Sequence, residues 1–209
     1  MSEPRVLPIA TALADEDQAR RDWYLLLGRL FAAPPDAGTL AAIAGSAPAG
    51  HPGAEAPPFL QAVADLAAAA AQADPASVAQ EYDAAFIGVG KSEIFLYASW
   101  YLSGFLHDRP LVAVRERLAE LGLAGREDVG QTEDHFGALC ETMAILIGSA
   151  DPRLSSLDTQ RDFFSRFLAP CFEPLCDAIE HSGLTDFYKH VARLARVFLS
   201  IERQAFDFE

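Results

Sequence analysis

The chain has 209 residues, 51% of them apolar and 22% charged, a length that fits one domain able to bury its own core. Sixteen basic against 30 acidic residues leave a net charge of −14. That argues against a nucleic-acid partner, since binding phosphates demands clustered Lys and Arg, and favours basic partners. No uninterrupted apolar run reaches the roughly 18 residues of a membrane span, so no stable membrane insertion is expected.

In chain order, residues 1–16 read as an N-terminal tail, and the first dozen hold no basic segment followed by an apolar stretch. Arg20-Arg21 ahead of Trp23-Tyr24-Leu25-Leu26-Leu27 has the outline of a twin-arginine signal. The upstream flank is acidic, Arg29 interrupts the apolar run and no small-residue cleavage site follows. Trp23, Leu26, Leu27, Leu30 and Phe31 instead keep the spacing of a core-facing helix, about Asp17 to Ala33, stopped by Pro34-Pro35. Asp36 then caps a short helix to about Ala44. Gly45 to Pro58, with three Gly and four Pro, reads as a flexible loop. Such a loop leaves both a monomer and a domain-swapped dimer open.

An alanine-rich helix is expected from Phe59 to Ala73. Asp74-Pro75 supplies an N-cap and an N1 proline for the next, where Val78, Tyr82 and Phe86 share a face. Gly88-Val89-Gly90-Lys91-Ser92 ends it and resembles the tail of a phosphate-binding loop. The full pattern needs a further Gly where Ala85 stands and a preceding strand, whereas a helix precedes it here. Helix resumes from Ala98 to Leu106 behind the cluster Tyr97-Ala98-Ser99-Trp100-Tyr101. Pro110 opens another, with Leu111, Val114, Leu118 and Leu121 on one side, and Gly125 to Gly130 is a polar loop. Thr132 caps a helix ending near Gly148, striped by Phe136, Leu139, Cys140, Met143 and Ile147. The last third holds Leu157 to Leu168, Pro170 to His181 and Thr185 to Arg203, followed by a short tail, 204–209. No alternating or β-branched run competes. The expected fold is all-α, a single-domain bundle of about ten helices over residues 17–203.

Three cysteines without a CxxC pair fit a reducing compartment, and Cys140 on its apolar stripe reads as a buried small hydrophobe. The five histidines are scattered singly, no HExxH or GxSxG occurs, and no cysteine has a local histidine. Neither catalytic residues, a metal nor a cofactor is therefore assigned. Two clusters resist a plain packing account. Glu133-Asp134-His135 suits a helix N-terminus as far as its carboxylates go. A histidine at the positive end of the macrodipole does not fit that account, and recognition of a partner stays open beside it. Trp100 and Tyr101 are adjacent and point about 100° apart on a helix, so both cannot face one stripe. Rings with polar tips suit a groove that grips an apolar peptide while partly wet.

The order of these elements resembles the TorD/DmsD/NarJ-like redox-enzyme maturation chaperones, the TorD branch above all. The resemblance rests on Trp23-Tyr24-Leu25-Leu26, Tyr82 and Phe86, the Gly88/Gly90 break, and Tyr97-Ala98-Ser99-Trp100-Tyr101. It continues through Gln131-Thr132-Glu133-Asp134-His135, Phe164, Phe167-Leu168, Pro170-Cys171, Phe187-Tyr188 and Phe198-Leu199-Ser200-Ile201-Glu202. Thr132 and Gln131 stand for the family's Pro and first Glu, Leu96 for a Pro, and Phe167 and Cys171 for a His and a Trp. The resemblance implies a cytoplasmic, non-enzymatic chaperone that binds the catalytic subunit of a molybdenum-cofactor oxidoreductase, or its twin-arginine signal peptide, before cofactor insertion and export. Tyr97, Ser99, Trp100, Tyr101, Glu133, Asp134 and His135 are then the expected partner-binding residues. Two rival readings are a nucleotide switch or enzyme centred on Gly88 to Ser92, and an assembly factor that grips the folded client whatever its signal.

Overall fold

In the computed structural model the described residues are 13–47, 53, 55–88, 92–125 and 130–208. Helices make up their regular structure: α1 (Asp15–Ala32), α2 (Ala37–Gly45), α3 (Pro58–Gln72), α4 (Pro75–Tyr82), α5 (Ala98–Ser103), α6 (Arg109–Glu120), α7 (Phe136–Gly148), α8 (Pro152–Ser155), α9 (Leu157–Phe163), α10 (Ala169–His181) and α11 (Phe187–Phe208). The all-α expectation holds. Among the described residues the β-type pairing is a lone antiparallel bridge, Tyr97 to His135.

The caps expected at Asp36 and Asp74 form. Asp36 accepts from Thr39 N–H at 2.7 Å and Asp74 from Ser77 N–H at 3.0 Å. Other boundaries move, each for a reason. The first turn of α1 includes Asp15 and Glu16, expected in the tail, because carboxylates there meet the positive end of the helix dipole. The α5 helix stops at Ser103, since Gly104 turns left-handed at φ 80°. A π-helical turn, Asp83–Ile87, extends α4, and another, Phe164–Leu168, joins α9 to α10 without a gap. Helix α11 runs on to Phe208, because Phe206 is buried against Phe164, ring centroids 5.3 Å apart. The expected tail from residue 204 is therefore helix as far as 208.

At the centre α1 and α7 cross antiparallel, with Arg21 beside Gly148 at one end and Gly28 against Gly137 at the other. A Cβ added at Gly137 would sit 2.8 Å from the Gly28 carbonyl oxygen and 3.2 Å from Ala32 N, so backbone meets backbone with no side chain between. Gly137→Ala is expected to destabilise by about 1–3 kcal/mol through overpacking, read as a lower denaturation midpoint at unchanged m value. An unchanged midpoint would show that the crossing gives way freely.

Elements distant in sequence close onto the helix ends. Pro34-Pro35 prevents α1 from continuing, so its last carbonyls lack intrahelical donors. Tyr188 OH donates to Leu30 O at 3.0 Å, Tyr82 OH to Phe31 O at 2.9 Å and Gln131 Nε2 to Ala32 O at 2.8 Å. The α11 N-terminus is held by Glu81, which accepts from the N–H groups of Asp186, Phe187 and Tyr188 at 2.8–3.0 Å. Arg20, first of the pair that outlines a signal sequence, forks onto Glu202 of α11 at 2.8 and 2.9 Å. The three cysteines are buried and unpaired, as expected for Cys140. Burial pushes the Cys176 thiol up to about 12 and that of Cys140 well above its usual range, so neither is a nucleophile at neutral pH. No helix among the described residues is long and apolar enough to cross a membrane.

Candidate functional site

The two clusters singled out in the sequence come together. Tyr97 bridges His135, Phe136 N–H donates to Leu96 O at 2.7 Å, and Ala98 N–H donates to Asp134 O at 2.9 Å. Tyr97, the N-cap residue of α5, provides no side-chain cap of its own. Asp134 supplies one from outside: its Oδ2 accepts from Ser99 N–H at 3.2 Å. The carboxylate is 0% exposed, and its Oδ1 accepts a hydrogen bond from the Thr132 hydroxyl at 2.6 Å.

Thr132 does not cap α7, contrary to expectation. The chain turns through Glu133 and Asp134, with His135 N–H donating to Thr132 O at 2.9 Å, and the helix begins only at Phe136. His135 is the N-cap, accepting Gly137 N–H on Nδ1 at 3.1 Å. Burial pulls the imidazole down to about 4 against the opposing pull of Asp134. A histidine at the positive end of a helix is thus explained. It is there as a neutral acceptor, the form that the dipole tolerates.

The remaining residues divide by direction. Tyr97 is half-buried, its ring edge-on to His135 at 5.1 Å and to His107 at 5.6 Å. Tyr101 turns inward toward Cys171 and Cys176 of α10, and burial raises its phenol well above the usual range. Trp100 turns outward, tilted over Phe95 at 4.3 Å and 37% exposed. This is the divergence that helical geometry demands of neighbours. Glu133 is half-buried and pairs with Arg115 of α6 at 2.8 Å.

Three residues that carry surface were not singled out by the sequence: Leu102, Phe105 and Leu106, of which Phe105 is 70% exposed. With Trp100 they are the large apolar side chains that α5 and the turn after it leave partly in water, a ledge whose other three members are 36–38% exposed. Gly104 was the available signal, since a left-handed stop mid-segment takes the following residues off the helical face.

Two hollows flank the region. One, of about 620 Å³, is lined by Arg115, Leu118, Gln131, Glu133, Glu141 and Ile145 among others. The other, of about 920 Å³, has Asp83, Ile87, Gly88, Ser92, Glu93 and Leu184 in its wall. Of the phosphate-loop lookalike, Val89, Gly90 and Lys91 lie outside the described residues, and a π-helical turn, not a strand, leads into it. Among the described residues no group of three His, Cys, Asp or Glu side chains is placed to hold a metal ion.

Comparison with known proteins follows the same line. A family profile described as nitrate reductase delta subunit matches residues 53–177. The chaperone protein TorD of Vibrio cholerae serotype O1, strain El Tor Inaba N16961, is 30% identical over 132 residues, 58% of this chain and 59% of that protein. TorD of the Classical Ogawa strain O395 matches to the same extent. The chain thus matches 59% of the length of these curated relatives. In fold it is similar to the crystal structure of a candidate redox enzyme maturation protein from Archaeoglobus fulgidus, with TM-score 0.56 and 17% identity, over 95% of this chain and 99% of that one. Since the profile spans more than half of the sequence, this chain belongs to the nitrate reductase delta subunit family, the TorD/NarJ group of redox-enzyme maturation chaperones.

Proposed function

We propose that the protein is a cytoplasmic chaperone holding the precursor of a molybdenum-cofactor oxidoreductase, by its twin-arginine signal peptide, until the cofactor is in place. The proposed site is formed around Tyr97, Ser99, Trp100, Tyr101, Glu133, Asp134 and His135. The exposed ledge of Trp100, Leu102, Phe105 and Leu106 carries this reading. Apolar side chains gathered on one short segment and left partly in water suit a surface that another chain covers. A signal peptide sets an arginine pair beside an apolar segment. A ledge on a protein of net charge −14 complements both halves: rings and aliphatic chains remove the apolar part from water, and the surrounding field draws in the guanidinium groups. The task is holding, and it calls for no bond-making.

A synthetic peptide with Arg-Arg followed by a Leu/Ala-rich segment, titrated by calorimetry, tests the reading. Trp100→Ala and Phe105→Ala replace exposed residues and are expected to keep the fold while each weakens binding about tenfold, roughly 1.4 kcal/mol. Raising salt weakens the remaining affinity further. Full affinity in both variants would remove the ledge from the site. Equal capture of a client with its signal deleted would instead favour a factor that grips the folded enzyme.

A further inference from the structure

We propose that Asp134 and Ser99 are positioning residues that act on a bound partner through the apolar ledge without touching it. The proposal rests on the ledge being the docking face. Both residues are 0% exposed, so neither offers an atom to an arriving chain. Asp134 has both carboxylate oxygens engaged, one by Ser99 N–H and the other by the Thr132 hydroxyl. Ser99 in turn holds the rest of the segment. Its Oγ accepts from His107 N–H at 3.2 Å, and its carbonyl accepts from the Ser103 hydroxyl at 2.9 Å. The far end of the turn, 107, is thereby tied back to the residue that Asp134 grips. The exposed large apolar residues of this segment lie between these two ties: Trp100, Leu102, Phe105 and Leu106.

The segment cannot hold itself. One six-residue helix is far below the length at which an isolated helix persists. His107 sits at φ 56°, a left-handed conformation that a non-glycine residue keeps only when its surroundings impose it. The surroundings here are Ser99 Oγ and the Tyr97 ring, and both lead back to the Asp134–His135 turn. This accounts for the pairing of a serine in the aromatic segment with an aspartate ahead of α7: the two are donor and acceptor in one latch. The latch needs an acceptor at 134, not a charge. Asparagine offers a carbonyl oxygen to Ser99 N–H and an amide N–H to Thr132, whereas alanine offers neither.

The test uses full-length protein carrying Trp23→Phe, which leaves Trp100 as its single tryptophan. Emission of Trp100 and amide exchange over 98–107 are measured without any ligand, and affinity with the Arg-Arg/Leu-Ala peptide. Asp134→Ala is expected to red-shift Trp100, to speed exchange across 98–107 about tenfold with α10 and α11 unaffected, and to weaken the peptide about tenfold. Asp134→Asn stays near wild type in all three. Added to Trp100→Ala, Asp134→Ala lowers affinity by less than about twofold more, since the two act through one surface. Unaltered Trp100 emission and exchange in Asp134→Ala would overturn the proposal. So would equal loss of affinity in the alanine and asparagine variants, the mark of a charge that pairs with the peptide directly. Should Asp134→Ala fail to fold, Ser99→Ala frees the 107 end alone and is read in the same way. If the wild-type protein ignores the peptide, the docking reading fails, while emission and exchange still decide whether the latch holds the ledge.

Discussion

Glu202→Ala is expected to cost about 3–5 kcal/mol of stability, the range for removing one partner of a buried ion pair, and to lower Tm by roughly 10 °C or more. Arg20 reaches Glu202 through Nε and Nη2, gives a further hydrogen bond to Gln160 at 3.0 Å, and pairs through Nη1 with the partly exposed Asp17 at 3.0 Å. The Glu202 side chain is 4% exposed. Burial works against the guanidinium charge, yet the hydrogen bonds and charge of Glu202 prevail and hold its proton more tightly than usual. Without the carboxylate that positive charge keeps the partly exposed Asp17 as its counter-ion and otherwise lies beside the buried Tyr24 and the face of Phe206. The loss comes from the under-compensated charge and not from the value of the pair itself. Accordingly Arg20→Met with Glu202→Leu, an apolar pair of similar bulk, is expected to recover most of the stability. A single variant that loses less than about 1 kcal/mol would show that Asp17 and water compensate Arg20 without Glu202.

A second large effect appears on acidification. His135 titrates near 6.5 in an unfolded chain and is brought to about 4 by burial in the fold. Between those values the unfolded state holds a proton that the native state refuses. Stability is therefore complete above about pH 6.5, falls as pH drops through the window, and has lost its full share near pH 4. The span of the shift corresponds to about 3 kcal/mol. His135→Asn keeps a side-chain oxygen that can accept Gly137 N–H, and asparagine is a favoured N-cap, but it does not titrate. Urea midpoints measured from pH 7 to pH 4 are expected to fall less steeply in His135→Asn than in the wild type. Parallel profiles would mean that the imidazole gains its proton without disturbing α7.

The contrast between these residues and the local caps explains what could be read directly. Asp36 and Asp74 announce themselves because a capping side chain and the N–H it serves are three residues apart, inside any window of the sequence. The stripes of α1, α7 and α11 are equally visible, since burial on one face repeats every three to four residues. Gln131, Asp134, Tyr82, Tyr188, Glu81 and Glu202 stand out as polar groups near helix ends, but their partners lie between 35 and 182 residues away. For Asp134 and His135 the sequence suggested exposure to a partner, while the fold puts both inside. Trp100 and Tyr101 were legible as a divergent pair from helical geometry alone. Which of the two would face water depended on where α10 stands.

Helix content, the approximate places where helices begin and end, and the apolar face of each were determined by the amino-acid order, because backbone propensity, caps and periodicity act over a few residues. The tertiary structure decided which helix end meets which side chain, that a glycine pair lets α1 and α7 touch, and that four apolar residues between Trp100 and Leu106 remain in water. Those outcomes depend on desolvation and on contacts between elements whose separation along the chain carries no local signature.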